Sequence, residues 1–229
     1  MSELPILFED AEALVIDKPA GLPLDQPRAG GISLEDRLDE LRLGFARPPA
    51  PVHRLDRDTS GCLLLARNPK ALKRFAAAFE ARLVEKRYLG IVGGPVSGDE
   101  GTIALSLSKI SSAADGWRMI VAKKGKPAVT HWRKLAESDV LGGLTLVEFR
   151  PETGRTHQIR VHAAHAFGHA LLGDERYGGR PGPRTMLHAA DLVVPRPGKE
   201  PVRAHAPLPA DFVRLGFADP QDSLAKEPE

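Results

Sequence analysis

The sequence predicts an α+β fold, with a mixed, largely antiparallel sheet flanked by helices. Strand-like segments follow one another in runs instead of alternating strictly with helices, which is the pattern of such chains. Three stretches have helical signals, and no spacing recurs at a solenoid period. No low-complexity linker divides the chain. Residues 13–216 are therefore expected to form a single domain, with 1–12 an N-terminal extension and 217–229 an acidic, flexible tail.

Taken in order, Ala13-Leu14-Val15-Ile16 is a short apolar run closed by Asp17-Lys18-Pro19, a strand entering a loop. After the Gly- and Pro-rich stretch from Gly21 to Gly31, Ser33 reads as an N-cap with Asp36 as box partner, for a helix through about Leu43. Pro48, Pro49 and Pro51 end it, and a polar segment leads into an apolar strand over Cys62–Arg67. Asn68-Pro69 supplies a cap and a first-turn proline for a helix through about Arg82. Its apolar stripe is Leu72, Phe75, Ala76, Phe79 and Leu83. Strands are expected over 86–92, 102–107, 117–122, 128–135 and 144–149, then a helix from about Thr156 to Phe167. From Pro195 onward the chain is Pro-rich and expected to be mostly irregular.

Composition narrows the function classes. With 42% hydrophobic and 27% charged residues, the 229-residue chain can bury a real core. Its one cysteine, Cys62, excludes an intramolecular disulfide and sits in an apolar run, as a buried small hydrophobe would. Glu3, Glu9, Asp10 and Glu12 give the N-terminus the wrong charge for a signal peptide, and no apolar run approaches the ~20 residues of a membrane span. The expectation is a cytoplasmic protein with no membrane partner. Net charge is only +2, but residues 53–89 carry nine basic side chains against four acidic ones. That middle suits a polyanion, although a solvated helix face has the same charges.

Two segments can carry chemistry. In His53-Arg54-Leu55-Asp56-Arg57-Asp58-Thr59-Ser60-Gly61, seven of nine residues are polar or charged, and the segment feeds a buried strand. Asp56 between two arginines fits an ionised nucleophile or base, and it equally fits a salt-bridged turn. In Thr153-Gly154-Arg155-Thr156-His157-Gln158-Ile159-Arg160-Val161-His162, helical spacing puts Arg160 on one face with Ala163, Ala164 and Phe167. An arginine there either snorkels or meets a carboxylate from elsewhere, for which Asp56 is a candidate. His157, His162, His165 and His169 raise a metal site, but no Glu completes a zinc-peptidase pattern and Cys ligands are missing. The double glycines match neither a dinucleotide fingerprint nor a Walker loop.

Together these segments carry a resemblance. Asp17-Lys18-Pro19-Ala20-Gly21-Leu22, the nine residues around Asp56, Lys86-Arg87-Tyr88 and the segment 153–162 resemble the motifs of the RluA-type pseudouridine synthases. The match continues through Gly168-His169, Leu172-Gly173-Asp174, Tyr177-Gly178 and Leu187-His188-Ala189, in the family's order. One departure is Ala170, where the family often has Pro. The resemblance implies a basic cleft across the sheet and isomerisation of uridine to pseudouridine in ribosomal or transfer RNA. It implies no cofactor and no metal. Asp56 matches the catalytic aspartate, which attacks the anomeric carbon or abstracts a ribose proton. Arg160 matches the arginine paired with that aspartate, and Tyr88 the tyrosine packed against the target base. Arg54 matches an arginine that helps displace the base. Further RNA contacts are expected from Lys86, Arg87, Arg155 and the helix over 68–82, on a stem-loop bound by a monomer. The rivals are a non-catalytic RNA-binding module and a metal-dependent hydrolase.

Overall fold

Strand pairing and the placement of apolar residues are described from a computed structural model, over residues 4–27, 30–112 and 116–220. The chain resolves into two compact units. One comprises the chain up to Lys86 with His188–Ala206, and the other Arg87–Leu187 with the segment from Pro207. Numbered along the chain, the strands of the first unit are β1 (Ile6–Glu9), β2 (Ala13–Lys18), β3 (Ala50–Pro51), β4 (Ser60–Ala66), β10 (Leu187–Arg196) and β11 (Lys199–His205). β4 is central: it runs antiparallel to β2 and parallel to β10, while β1 extends the sheet beyond β2 and β11 beyond β10. Every residue of β4 is buried, which is why it reads as a continuous apolar run and not as an alternation.

Helix α1 (Pro69–Glu80) starts where the sequence places its cap, with the Asn68 side chain accepting from the Ala71 N–H at 2.9 Å. Its buried stripe is Ala71, Phe75 and Ala78 with Leu72 and Phe79 at the margin, packed on Val15, Leu64, Val194 and Val202. The expected stripe is thus partly corrected, because Ala76 and Leu83 face solvent. The helix expected over 33–43 is a shorter 3-10 turn, Glu35–Leu41. Asp36 does reach back to the Ser33 N–H and hydroxyl, each at 2.8 Å.

In the second unit, β5 (Glu85–Val92), β9 (Leu144–Pro151), β8 (Lys126–Ser138), β6 (Glu100–Ser112) and β7 (Gly116–Val121) lie side by side in that order, all antiparallel. Helix α2 (Gln158–Phe167) lies against β6, β7 and β8. Its Ile159 and Ala163 join Val92, Val147, Phe149 and Leu171 in one apolar cluster, and Val161 joins Leu107, Met119 and Ala128 in another.

Two expectations are corrected at the ends. The N-terminal extension contains β1, whose partner is β2. The end of the chain is not mostly irregular, since β10 continues through Arg196 and is followed by β11 and a short helix, α3 (Ala210–Arg214). Pro201 sits in β11 because that strand lies on an edge, where a missing N–H costs no ladder bond. Beyond Pro220 the expected tail lies outside the described residues.

Candidate active site

In the first unit the motif loop from His53 to Gly61 is braced from behind by buried polar groups. The His53 Nε2 accepts from the Leu64 N–H at 3.0 Å, and the ring stacks on Phe79 with centroids 4.7 Å apart. Burial, and then the nearby Lys86 charge, push the His53 imidazole down to about 4, so it stands neutral with its proton on Nδ1. At the other end, Ser60 Oγ and His188 Nδ1 are 2.9 Å apart, and His188 Nε2 is 3.1 Å from the Ala206 carbonyl. A carbonyl only accepts, so His188 donates from Nε2, and in the neutral ring Nδ1 is then the acceptor for the Ser60 hydroxyl. Gly61 adopts φ +105°, and a Cβ there would stand 2.2 Å from the Ala189 carbonyl oxygen. Only glycine lets β4 and β10 approach so closely.

Lys18 ties this loop to the segment 17–22. Fully buried, its ammonium donates to the carbonyls of Pro19, Leu22 and Arg57 at 2.8, 2.9 and 3.0 Å. The Gly21 N–H also donates to the Arg57 carbonyl, and Arg57 Nε returns a bond to the Gly21 carbonyl at 3.1 Å. Between these anchors Leu55 is buried, Asp56 is half-buried, and the Thr59 N–H donates to the Asp56 carbonyl at 3.1 Å. The Asp56 carboxylate is thereby carried on a loop whose backbone has little freedom. Arg54 projects into solvent and pairs with exposed Asp25 at 2.6 Å, an ion pair that costs little to open.

In the second unit, the start of α2 is locked by Gln158. Its side-chain oxygen accepts from Thr153 Oγ1 at 2.7 Å and the Arg155 N–H at 3.0 Å, while Nε2 donates to the Val129 carbonyl at 2.9 Å. His157 takes a left-handed conformation, φ 52°, immediately before the helix. This fixes Arg160, which meets a buried carboxylate rather than snorkelling. Its Nε and Nη2 both donate at 2.7 Å to Asp174, which is fully buried. The same guanidinium lies 5.2 Å from the centre of the Tyr177 ring.

The remaining candidates are spread along these elements. Tyr88 lies half-buried on β5 opposite Phe149 and packs against the core. Lys86 is half-buried on the same strand, and desolvation lowers its ammonium from the usual lysine range. Arg87 Nε binds buried Glu148 at 2.5 Å, a carboxylate that also pairs with Arg150 at 2.9 Å. Arg155 Nε donates to the Pro127 carbonyl at 3.2 Å. On α1, Lys70 and Lys73 are exposed, whereas Arg74 is engaged with Glu12 at 2.5 Å.

The histidines do not converge. His162 is buried and bonded through Nδ1 to Thr130 Oγ1 at 3.0 Å, and burial lowers it to about 4; His157 Nδ1 lies 2.8 Å from the Tyr177 hydroxyl. Among the described residues, no three His, Cys, Asp or Glu side chains gather where they could hold a metal ion. Cys62 is buried, and desolvation raises its thiol well above its usual value, as suits a packing residue. Sequence reasoning gave no role to Lys18, Ser60 and His188, Asp174 or Glu148. All but Glu148 lie in the motif segments, but nothing local signals that a charged or polar side chain will be buried against a distant partner.

Comparison with known proteins shows that this fold and these braced motif loops belong to a class of RNA-modifying isomerase. Residues 12–165 match the model of the RNA pseudouridylate synthase family. A protein of Zymomonas mobilis described as an uncharacterized RNA pseudouridine synthase is 54% identical over 215 residues, covering 93% of this chain and 97% of its own. Ribosomal large subunit pseudouridine synthase D of Xanthomonas campestris is 40% identical, covering 96% of this chain and 70% of its own. The solved human RNA pseudouridylate synthase domain containing 1 aligns with 99% of this chain and 96% of its own at a TM-score of 0.78 and 29% identity. The chain belongs to the RNA pseudouridylate synthase family, in its RluA-type branch, and is an isomerase acting on RNA uridines. No helix among the described residues is long and apolar enough to cross a membrane.

Proposed function

We propose that this synthase isomerises specific uridines of large-subunit ribosomal RNA, with Asp56 as the catalytic carboxylate. The observation that carries the reading is the motif loop around Asp56, braced by Lys18, His53 and the Ser60–His188 pair in a chain of this family. The ribosomal substrate is supported by large-subunit pseudouridine synthases D that are 35%, 38% and 40% identical to this chain.

In this reading Asp56 acts on the ribose of a flipped-out uridine, because neither the anomeric carbon nor the ring edge is accessible in a stack. It attacks the anomeric carbon or takes a ribose proton, and both roles require the ionised form. The bond from N1 to the sugar breaks, the uracil turns, and C5 bonds to the same carbon. C5 then loses its proton and N1, which carried none in uridine, gains one, so atoms balance with no redox change and no external group. Tyr88 packs against the base and assists removal of the C5 proton. Asp174 takes Nε and Nη2 of Arg160 and fixes its plane, and the resemblance makes Arg160 the arginine that serves the catalytic aspartate. Arg54 displaces the target base, and Lys86, Arg87 and Arg155 contribute RNA contacts. The enzyme works without metal or cofactor, as a cytoplasmic monomer on a stem-loop.

The test is site-resolved pseudouridine sequencing of ribosomal RNA from cells with and without the gene. Specific large-subunit sites should disappear and return with the wild-type gene. An unchanged large-subunit map would overturn the substrate assignment.

A further inference from the structure

Trp117 is used neither by the family motifs nor by the chemistry proposed above. It lies on β7 opposite Ser111, with Lys109 opposite Met119 on the same hairpin. Strand alternation sends Trp117 and Met119 to one face. Met119 closes the cluster with Leu107, Ala128 and Val161, and Trp117 continues that face past the end of the core, where it is 37% exposed.

The indole is nonetheless held in place. Its ring lies 4.9 Å from the His157 ring, and His157 Nδ1 is bonded to the Tyr177 hydroxyl, which accepts from the Met119 N–H at 3.1 Å. Arg176 donates to the Trp117 carbonyl at 2.5 Å. Lys109 Nζ stands 4.7 Å from the ring centre, and the Arg176 guanidinium 5.6 Å. An open groove of about 560 Å³ is lined by Met119, Val161, Ala164, Arg176 and Tyr177 among others, and Arg176 and Tyr177 connect it to the residues that hold the indole. From Leu107 to Lys126 the sequence has five basic residues, Lys109, Arg118, Lys123, Lys124 and Lys126, against the single acid Asp115.

A rigid, partly exposed aromatic flanked by cations is how proteins hold unpaired nucleotides: bases stack, and phosphates meet Arg or Lys. We propose that Trp117, Lys109 and Arg176 form a further RNA subsite, which stacks an unpaired base other than the target uridine. Base–indole stacking is stronger than an exposed lysine–indole contact, so the base displaces the Lys109 ammonium, which swings onto the adjoining phosphate. The proposal rests on the RNA-modifying activity of the family and adds a site that determines affinity.

The chain has two tryptophans, so Trp132→Phe leaves Trp117 as the sole indole reporter. Titrating that variant with a short single-stranded RNA of mixed sequence should quench its emission. Trp117→Ala should weaken binding of a large-subunit ribosomal RNA transcript by roughly 5- to 150-fold, and Trp117→Phe should restore most of it. Melting temperature and circular dichroism of each variant check that the fold persists. If the wild type binds and isomerises the transcript while Trp117→Ala binds equally well, the subsite is wrong and the activity stands. Equal quenching by polyglutamate would show a general polyanion surface and overturn the RNA assignment. A wild type that neither binds nor modifies any RNA would overturn both readings.

Discussion

Replacing Asp174 with alanine should destabilise the second unit and remove activity together. The carboxylate is fully buried and receives two charge-assisted bonds from Arg160 at 2.7 Å, while the Arg160 side chain is only 11% exposed. Removing one member of such a pair leaves the other charge buried and uncompensated, a cost of about 3–5 kcal/mol. With a urea m-value of about 2 kcal/mol/M, the unfolding midpoint should fall by roughly 1.5–2.5 M. Tryptophan emission is a suitable probe, since Trp117 and Trp132 both belong to the unit that contains the pair. Asp174→Asn keeps an acceptor and should lose less. The double variant Arg160→Met with Asp174→Leu should recover part of the stability, because buried pairs are often replaceable by apolar side chains, but not the activity. A midpoint for Asp174→Ala within about 0.2 M of wild type would refute the reasoning that Arg160 is positioned by this buried bond.

Other outcomes follow from neighbouring features. His53 and His162 are both depressed from 6.5 to about 4 by burial. The unfolded chain therefore binds more protons between those values, and stability should be level above about pH 6.5 and fall as the pH drops toward 4. Thermal melts across that range check this, and a flat or rising profile toward acid contradicts it. Gly61→Ala should cost more than about 1 kcal/mol and slow turnover, through the clash at Ala189 and the positive φ, as denaturant unfolding would show. Dialysis against a strong chelator should leave turnover unchanged; loss restored by zinc would favour a metal-dependent reading of the histidines.

How far the sequence reached depended on whether a signal was local. The N-terminus of α1 was legible because Asn68 and Pro69 act within one turn of themselves. The buried strand β4 was legible because burial on both faces leaves an unbroken apolar run. β11 was missed because Pro201 reads as a strand breaker, and only the sheet order places it on an edge where proline is tolerated. The left-handed His157 before α2 was equally invisible, as it is imposed by the bonds Gln158 makes to Thr153 and Val129. Arg160 reads as either snorkelling or meeting a carboxylate, with Asp56 the candidate, and the sequence does not point to Asp174, because side chains 14 residues apart meet only through the turns after α2. Lys18 shows the same limit: an unmarked lysine at a strand end becomes the buried tie between two motifs.

The most direct test of the central claim is single-turnover pseudouridine formation by purified wild type and Asp56→Asn on a large-subunit ribosomal RNA transcript. The substitution preserves the size of a half-buried side chain on a loop anchored by other residues, so folding and RNA affinity should stay close to wild type. Pseudouridine should be formed by the wild type and be undetectable with Asp56→Asn. Turnover by Asp56→Asn within about tenfold of wild type, where loss of one acid–base group alone typically costs more, would contradict the role assigned to this carboxylate.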